Sequence, residues 1–402
     1  MSDRQTGVSS GLRAGSAAFQ RANLALALAG FTCFTLLYGT QPVLPQLTGE
    51  FGISPAQASL SVAAGTAAMA FLLIPLSLLA DRYGRERAMR FGLAGAALFG
   101  LLSALAPSFL LLLVCRAGLG VCIAAVPAAA MAYLGEEIAS EARGRAMGLY
   151  IGANALGGMS GRLVSALLTE WFGWRYGLAA LGLLGGVCAF MLWRLLPPAR
   201  HFVPRSLQPR LLIADVRRIY ADPGLPWLFL IAFLIMGSFV GTYNYLGFRL
   251  SQAPFSLGPA AIGAIFLLYA VGSLSSAWAG HLADRLGRRS IILMMSLAMI
   301  GGLLLTLSNG LALIILGLAV FTFGYFATHA IASGWVGRRA KERRGLVSAL
   351  YLSSYYLGGS TLGSAVGWPW AHGGWPAVVA TLAGSVGLVV GLALYLGRIS
   401  ES

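Results

Sequence analysis

The feature that most constrains this chain is the recurrence of apolar stretches of about 20 residues or more along its whole length, parted by short polar segments. A helix of that length matches the hydrocarbon thickness of a bilayer, and it satisfies its own backbone hydrogen bonds where no water can. Twelve such runs are predicted to span, near 23–44, 56–79, 88–107, 109–134, 146–169, 175–196, 226–249, 259–282, 290–308, 311–335, 346–368 and 375–396. Charged residues make up only 10% of the 402 positions, against roughly 25% in soluble domains. The first run ends at Pro42 and Pro45. It is too long for the apolar part of a cleaved signal, and the polar 21 residues before it lack a signal's layout.

The net charge of +15 raises the question of a nucleic-acid partner, and its distribution answers it. With the N-terminus in the cytoplasm, 24 of the 28 basic residues fall on the cytoplasmic side. They occupy Arg4 to Arg21, the 82–90 loop, 143–145, 194–218, 285–289, 338–344 and Arg398. Arg175 and Arg249 sit at outer ends of spans, and Arg116 and Arg162 within spans. This asymmetry predicts cytoplasmic termini and a multi-pass protein of a bacterial cytoplasmic (inner) membrane. Topology and contact with anionic headgroups account for the charge, so the bilayer is the expected partner and nucleic acid is not. Cys33, Cys115, Cys122 and Cys188 lie in apolar runs without a Cys-x-x-Cys pair and read as packing residues, with no metal site.

The chain repeats itself. "LADRYGRERA" at 79–88 returns as "LADRLGRRS" at 282–290, placing Asp81 and Asp284 203 residues apart. "GRAMGLYIGANALGG" at 144–158 corresponds to "GLVSALYLSSYYLGG" at 345–359, and Gln41 falls opposite Asn244. Between the copies, the polar, basic, proline-interrupted segment 197–225 reads as a linker with one short surface helix near 211–220. The expected organisation is a bundle over 1–196, the linker 197–225 and a second bundle over 226–402. The fold class is then an all-α membrane protein, twelve transmembrane helices in two pseudo-symmetric six-helix bundles. Parallel repeats of this kind mark transporters whose site lies between the halves.

The repeated decapeptide has a physical reading at the inner ends of spans 2 and 8. Gly84 and Gly287 allow a tight turn between neighbouring helices, Arg82, Arg85, Arg285 and Arg288 hold the loop outside the membrane, and Asp81 and Asp284 can accept bonds from a helix N-terminus. "DRYGRERAMR" and "GHLADRLGRR" resemble the loop motif of the major facilitator superfamily, and the resemblance covers the whole twelve-span plan. It implies that Asp81 meets the start of span 11 near Gly345, that Asp284 meets the start of span 5 near Gly144, and that these contacts steady the outward-open state. Ser77 and Glu86 depart from the family pattern in the first copy. Within the superfamily the chain resembles the acriflavine-sensitivity group of drug exporters in "FTLLYGTQPVLPQL", "YLGEEI", "MGLYIGANALGGMSGR", "GSFVGTYNYLGFRL" and "LYLSSYYLGGS". Arg116 and Gly120 add a likeness to twelve-span drug:proton antiporters, which implies proton coupling at Arg116. Ala153 stands where those antiporters carry a proline.

An ionisable side chain within a span is a functional candidate by default. None of the thirteen acids, from Asp3 to Glu401, falls mid-span, whereas Arg116 and Arg162 do. Arg116 serves either proton coupling or packing against backbone carbonyls. Arg162 is a candidate cavity cation, open to neutralisation by Glu170 or Glu50. His329, the histidine inside a span, is a second candidate proton carrier. Gln41, Asn154 and Asn244 are polar amides that need partners in hydrocarbon. Tyr38, Tyr243, Tyr245, Tyr325, Phe326, Tyr351, Tyr355 and Tyr356 offer ring faces to planar ligands and to cations. Of these, Tyr38, Tyr243, Tyr351 and Tyr355 join the amides and Arg162 as expected cavity residues.

The expected function is proton-coupled efflux of small amphiphilic or aromatic compounds by alternating access, by a monomer that uses the proton gradient and no cofactor. An alternative cargo is an organic anion or sugar-like metabolite held by Arg116 and Arg162. A polytopic membrane enzyme is the remote alternative, disfavoured by the lack of a nucleophile–base pair, a carboxylate pair within a span or metal-spaced histidines. No phosphate-cradling Gly-x-x-x-x-Gly-Lys-Ser/Thr loop occurs, which argues against ATP hydrolysis.

Overall fold

The structure, a computed structural model, describes residues 11–204, 209–340 and 343–400. Asp3, Arg4, Lys341, Glu342 and Glu401 lie outside these. Twelve long helices carry the chain. The first bundle holds α1 (Ala17–Phe51), α2 (Pro55–Tyr83), α3 (Arg85–Ala104), α4 (Phe109–Glu137), α5 (Ser140–Phe172) and α6 (Trp174–Leu195). The second holds α7 (Leu225–Ser251), α8 (Pro259–Leu286), α9 (Arg288–Leu305), α10 (Leu311–Arg339), α11 (Arg344–Ala365) and α12 (Gly367–Ser400). Among the described residues nine helices are long and apolar enough to cross a membrane by length and composition. The other three, α3, α5 and α11, begin on charged residues or are built from glycine, serine and tyrosine. Helix Pro209–Tyr220 lies in the linker.

Local chemistry fixes the boundaries. Ser54 and Gln57 cap α2 reciprocally, side chain to backbone in both directions, at 3.2 and 2.9 Å. Gly84 and Gly287 end α2 and α8 at φ 112° and 79°, a region open to glycine and strained for other residues. The two motif glycines therefore make the turns their sequence positions required. Pro42 lacks an N–H, and α1 is interrupted there by a 3-10 turn, Gln41–Val43.

The duplication is visible in packing. Within the first bundle α1 crosses α5 where a Cβ at Gly157 would collide with the Phe31 carbonyl. In the second, α7 crosses α11 where a Cβ at Gly358 would collide with the Phe233 carbonyl. Between bundles, α2 packs on α11 and α5 on α8.

Two ends of the molecule can be distinguished, the basic end bearing the "LADR" loops and linker, and the far end. Cross-bundle bonds gather at the far end. Glu170 of α5 accepts the Ala260 N–H at 3.0 Å, so a carboxylate of one bundle caps α8 of the other. Tyr245 of α7 reaches Ser59 of α2, and Gly367 lies against Ala56. At the basic end Gly144 and Gly345 face open space. Among the described residues the bonds that join the bundles lie at the far end, and the basic end is open at Gly144 and Gly345.

Candidate functional site

The far-end seal contains several of the expected cavity residues. The interruption at Pro42 presents Gln41 sideways between the bundles. Arg162 Nε donates to Gln41 Oε1 at 2.6 Å, Gln41 Nε2 donates to Asn244 Oδ1 at 2.8 Å, and Asn244 Nδ2 donates to the Gly363 carbonyl at 3.3 Å. This line of bonds runs from α5 through α1 to α7 and α11. Arg162 is 3% exposed, and Nη1 also donates to the Gly158 carbonyl at 2.6 Å. Its guanidinium lies 4.1 Å from the centre of the Tyr38 ring, 5.0 Å from Tyr269 and 5.1 Å from Phe266. Neither expected rim acid meets it. Glu170 caps α8, and Glu50 pairs with Arg175 at 2.6 Å.

Arg116 is placed differently. It is 1% exposed and inside the first bundle, where Nη1 donates to the Leu36 carbonyl at 2.8 Å, Nε to Ser61 at 3.2 Å, and Nη2 to Leu37. The helical turn of α1 ends at Tyr38, so Leu36 and Leu37 carry carbonyls that a helix end leaves without partners. A cation at a helix C-terminus is also favoured by the backbone dipole. Arg116 thus caps the broken α1, and it shares no site with Arg162, contrary to the two-arginine anion expectation.

From Arg162 a stripe of rings runs toward the basic end through the second bundle. Phe266 stacks on Tyr243 at 5.1 Å between centroids, Tyr269 lies 5.2 Å from Phe239, and Phe239 stacks on Tyr325 at 3.7 Å. Tyr243 shares a hydrogen bond with Thr322 at 2.8 Å. The Tyr325 hydroxyl bonds that of Tyr355, whose ring is 4.6 Å from His329. His329 Nδ1 lies 3.1 Å from the Tyr351 hydroxyl. Asn154 is separate, packed on Gly30 of α1. Phe239, Phe266 and Tyr269 escaped the sequence reading, because a ring within an apolar run carries no mark of which face it occupies.

The two loop motifs do not dock across bundles. Asp81 accepts from Arg85 of its own motif at 3.1 and 3.2 Å, and Arg85 also pairs with Glu136 of α4. Burial opposes the charge on Arg85, but Glu136 and Asp81 outweigh it and raise the guanidinium's pKa. Asp284 lies 3.7 Å from Arg338, with both side chains about two-thirds exposed. The expected contacts of Asp81 near Gly345 and of Asp284 near Gly144 are absent among the described residues: each aspartate pairs with an arginine of its own bundle, and both glycines face open space. Arg82 lies over the Tyr83 ring at 5.3 Å, Arg285 is exposed, and Arg288 is half-buried.

Comparison with known proteins places this arrangement. The chain is 42% identical over 386 residues to the inner membrane transport protein YnfM of Escherichia coli (strain K12), covering 96% of this chain and 92% of that one. It is 39% identical over 387 residues to an uncharacterized MFS-type transporter, YybF, of Bacillus subtilis (strain 168), covering 96% of both. In fold it resembles the crystal structure of a bacterial homolog of the human lysosomal transporter Spinster, with a TM-score of 0.73 at 18% identity over 95% of both chains. The model of the Major Facilitator Superfamily matches residues 26–364 and again 255–401. Two six-helix bundles, a repeated loop motif and full-length relatives that are transporters converge on one conclusion: this chain is a secondary transporter of the Major Facilitator Superfamily.

Proposed function

We propose that the protein exports small planar aromatic compounds from the cytoplasm in exchange for protons, by alternating access, with both termini and the basic end in the cytoplasm of a bacterial inner membrane. The observation that carries this reading is the aromatic stripe from Phe266 to Tyr351, which borders the bundle interface and ends at Arg162. Ring faces hold flat ligands by stacking without demanding one hydrogen-bond pattern. In that orientation the parted basic end is the loading state, and the Arg162–Gln41–Asn244 line keeps the outer side shut. Opening outward then requires the Gln41–Asn244 bond to break and the basic ends to close. Asp81 and Asp284 would exchange their present arginine partners for the starts of α11 and α5 at that stage. His329, bonded to Tyr351 beside Tyr355, is the proton-carrying group in this reading.

One observation favours a narrower cargo. The partners of Arg162 are an amide, a carbonyl and three rings, so a buried cation borders the interface with no carboxylate beside it. An aromatic compound bearing a carboxylate would supply the missing charge, with Arg162 alone as its partner.

The test uses inverted vesicles with an imposed gradient, acid inside, offered ethidium, acriflavine or benzoate. Gradient-dependent accumulation of the cationic dyes supports the broad reading, and accumulation of benzoate alone, lost in Arg162→Gln, supports the narrower one. Failure of all three to accumulate, with the protein folded in the vesicles, would sink the aromatic-export reading.

A further inference from the structure

The basic end of the second bundle contains a pocket of about 530 Å³ apart from the transport path. Arg218 of the linker helix, Arg338 and Arg339 of α10, and Arg343 before α11 line it, together with Asp215 and Asp222. Both carboxylates are already engaged. Arg339 Nε donates to Asp222 at 2.5 Å, and Arg343 pairs with Asp215 at 3.2 Å. Asp222 also accepts the N–H groups of Gly224 and Leu225, capping α7 at 2.8 and 2.9 Å. The Arg339 guanidinium lies against Gly224, where a Cβ would come within 2.6 Å of Nε, so this wall is preset. Arg338 also lies 3.7 Å from Asp284, an exposed pair that leaves its guanidinium reachable from solvent, so four guanidiniums against three carboxylates leave the pocket positive.

The surroundings place it at headgroup depth. Leu225 and Val347, in the first turns of α7 and α11, form part of its lining. Two residues along α7, the partly exposed Trp227 meets Tyr395 of α12 at 5.6 Å, an aromatic pair of the kind that marks a membrane interface. The linker helix turns Leu212, Val216 and Ile219 inward and Arg210 and Arg217 outward, while Ile213 and Tyr220 remain 55% and 50% exposed on its flank. A helix with basic residues and an exposed apolar flank lies in the plane of the interface.

We propose that this pocket binds the phosphate of an anionic glycerophospholipid headgroup, with Arg218 and Arg338 as the anion-binding groups and Ile213 and Tyr220 against the lipid's acyl chain. Guanidinium groups pair readily with phosphate oxygens, and basic pockets between transmembrane helices suit lipid phosphates. Arg339 and Arg343, fixed by their aspartates, shape the walls.

The experiment measures retention of phosphatidylglycerol and phosphatidylcholine on the purified full-length protein by native mass spectrometry, with inorganic phosphate as competitor. Phosphatidylglycerol is expected to be retained over phosphatidylcholine. The double variant Arg218→Gln/Arg338→Gln should weaken its retention about 25-fold, roughly fivefold per arginine. Arg210→Gln/Arg217→Gln, on the outward side of the same helix, should change it less than about twofold. Equal loss in both variants would replace the pocket with a diffuse basic face. Displacement by millimolar inorganic phosphate, without preference between the lipids, would make it a small-anion site. Should the double variant not fold, the exposed single change Arg218→Gln carries the same reading.

Discussion

Helices α4 and α10 are each 29 residues long and occupy corresponding places in the two bundles, 202 positions apart in sequence. Their chemistry differs. Where α4 has Arg116, α10 has Leu318, fully buried; where α4 has Pro127, α10 has His329. The first bundle uses its charge to hold α1, α2 and α4 together, capping a helix that Pro42 breaks. Its counterpart needs no such cap and places its polarity eleven residues further along, among the aromatic rings. One repeat's charge holds its own bundle together and the other's histidine sits among aromatic rings, so an ionisable residue within a span marks a site only once its partners are known.

The comparison is broken most directly by writing the α10 residue into α4. Arg116→Leu leaves the Leu36, Leu37 and Ser61 carbonyls without their donor, and the expected loss is about 1–3 kcal/mol for each carbonyl left unsatisfied. It should appear as a large fall in the melting temperature of the detergent-solubilised protein. A variant that melts like the wild type yet loses proton coupling would return Arg116 to the mechanism.

Next in size are the helix crossings. Gly157→Val and Gly358→Val each place a branched side chain on a backbone carbonyl, for a loss of about 1–3 kcal/mol by overpacking. Similar losses in the two variants would show that the scaffold, unlike the polar chemistry, is symmetric. A loss confined to one would refute that.

Smaller effects on stability are expected among the rings of the second bundle. His329→Gln keeps a group able to bond Tyr351 and should melt within a few degrees of the wild type. Its transport should no longer respond to the proton gradient, and an unchanged response would remove His329 from coupling.

The smallest effect concerns Asp222. Burial raises its pKa, but the bonds from Arg339 and two backbone amides outweigh burial and leave it depressed in the folded protein. A depressed carboxylate contributes stability above its unfolded pKa and loses it as pH falls through the folded value. Asp222→Asn should therefore lower the melting temperature slightly at pH 7 and shrink the difference from wild type toward pH 3. A difference constant over that range would rule out the ion pair as its source.

Much of the scaffold was legible in the sequence. Apolar run lengths placed the helices, and the motif glycines marked two tight turns. The 203-residue offset set Gln41 opposite Asn244, which proved to be a hydrogen-bonded pair. The facing of each helix was not legible. Lipid and protein core are both apolar, so a membrane helix shows little of the periodicity that orients a soluble one. That is why Arg116 and Arg162 looked alike in sequence while one points into a bundle and the other between bundles. It is also why Phe239, Phe266 and Tyr269 went unremarked. Nor did the motif mark the partners that Asp81 and Asp284 have here, Arg85 and Arg338, each within its own bundle.

The far-end line of bonds has a consequence for voltage. Arg162 and Gln41 belong to the same bundle, and within this line the bond that crosses between bundles is the neutral amide pair Gln41–Asn244. Parting the bundles there breaks this bond, worth roughly 1 kcal/mol, together with the Glu170–Ala260 bond and the contacts of Arg162 with Phe266 and Tyr269, and leaves the guanidinium with Gln41 and the Gly158 carbonyl. A full charge carried across the membrane would respond by about 2.3 kcal/mol per 100 mV. In the proposed cycle the guanidinium shifts only as far as its own bundle tilts, so only a weak response of this charge to the membrane potential is expected.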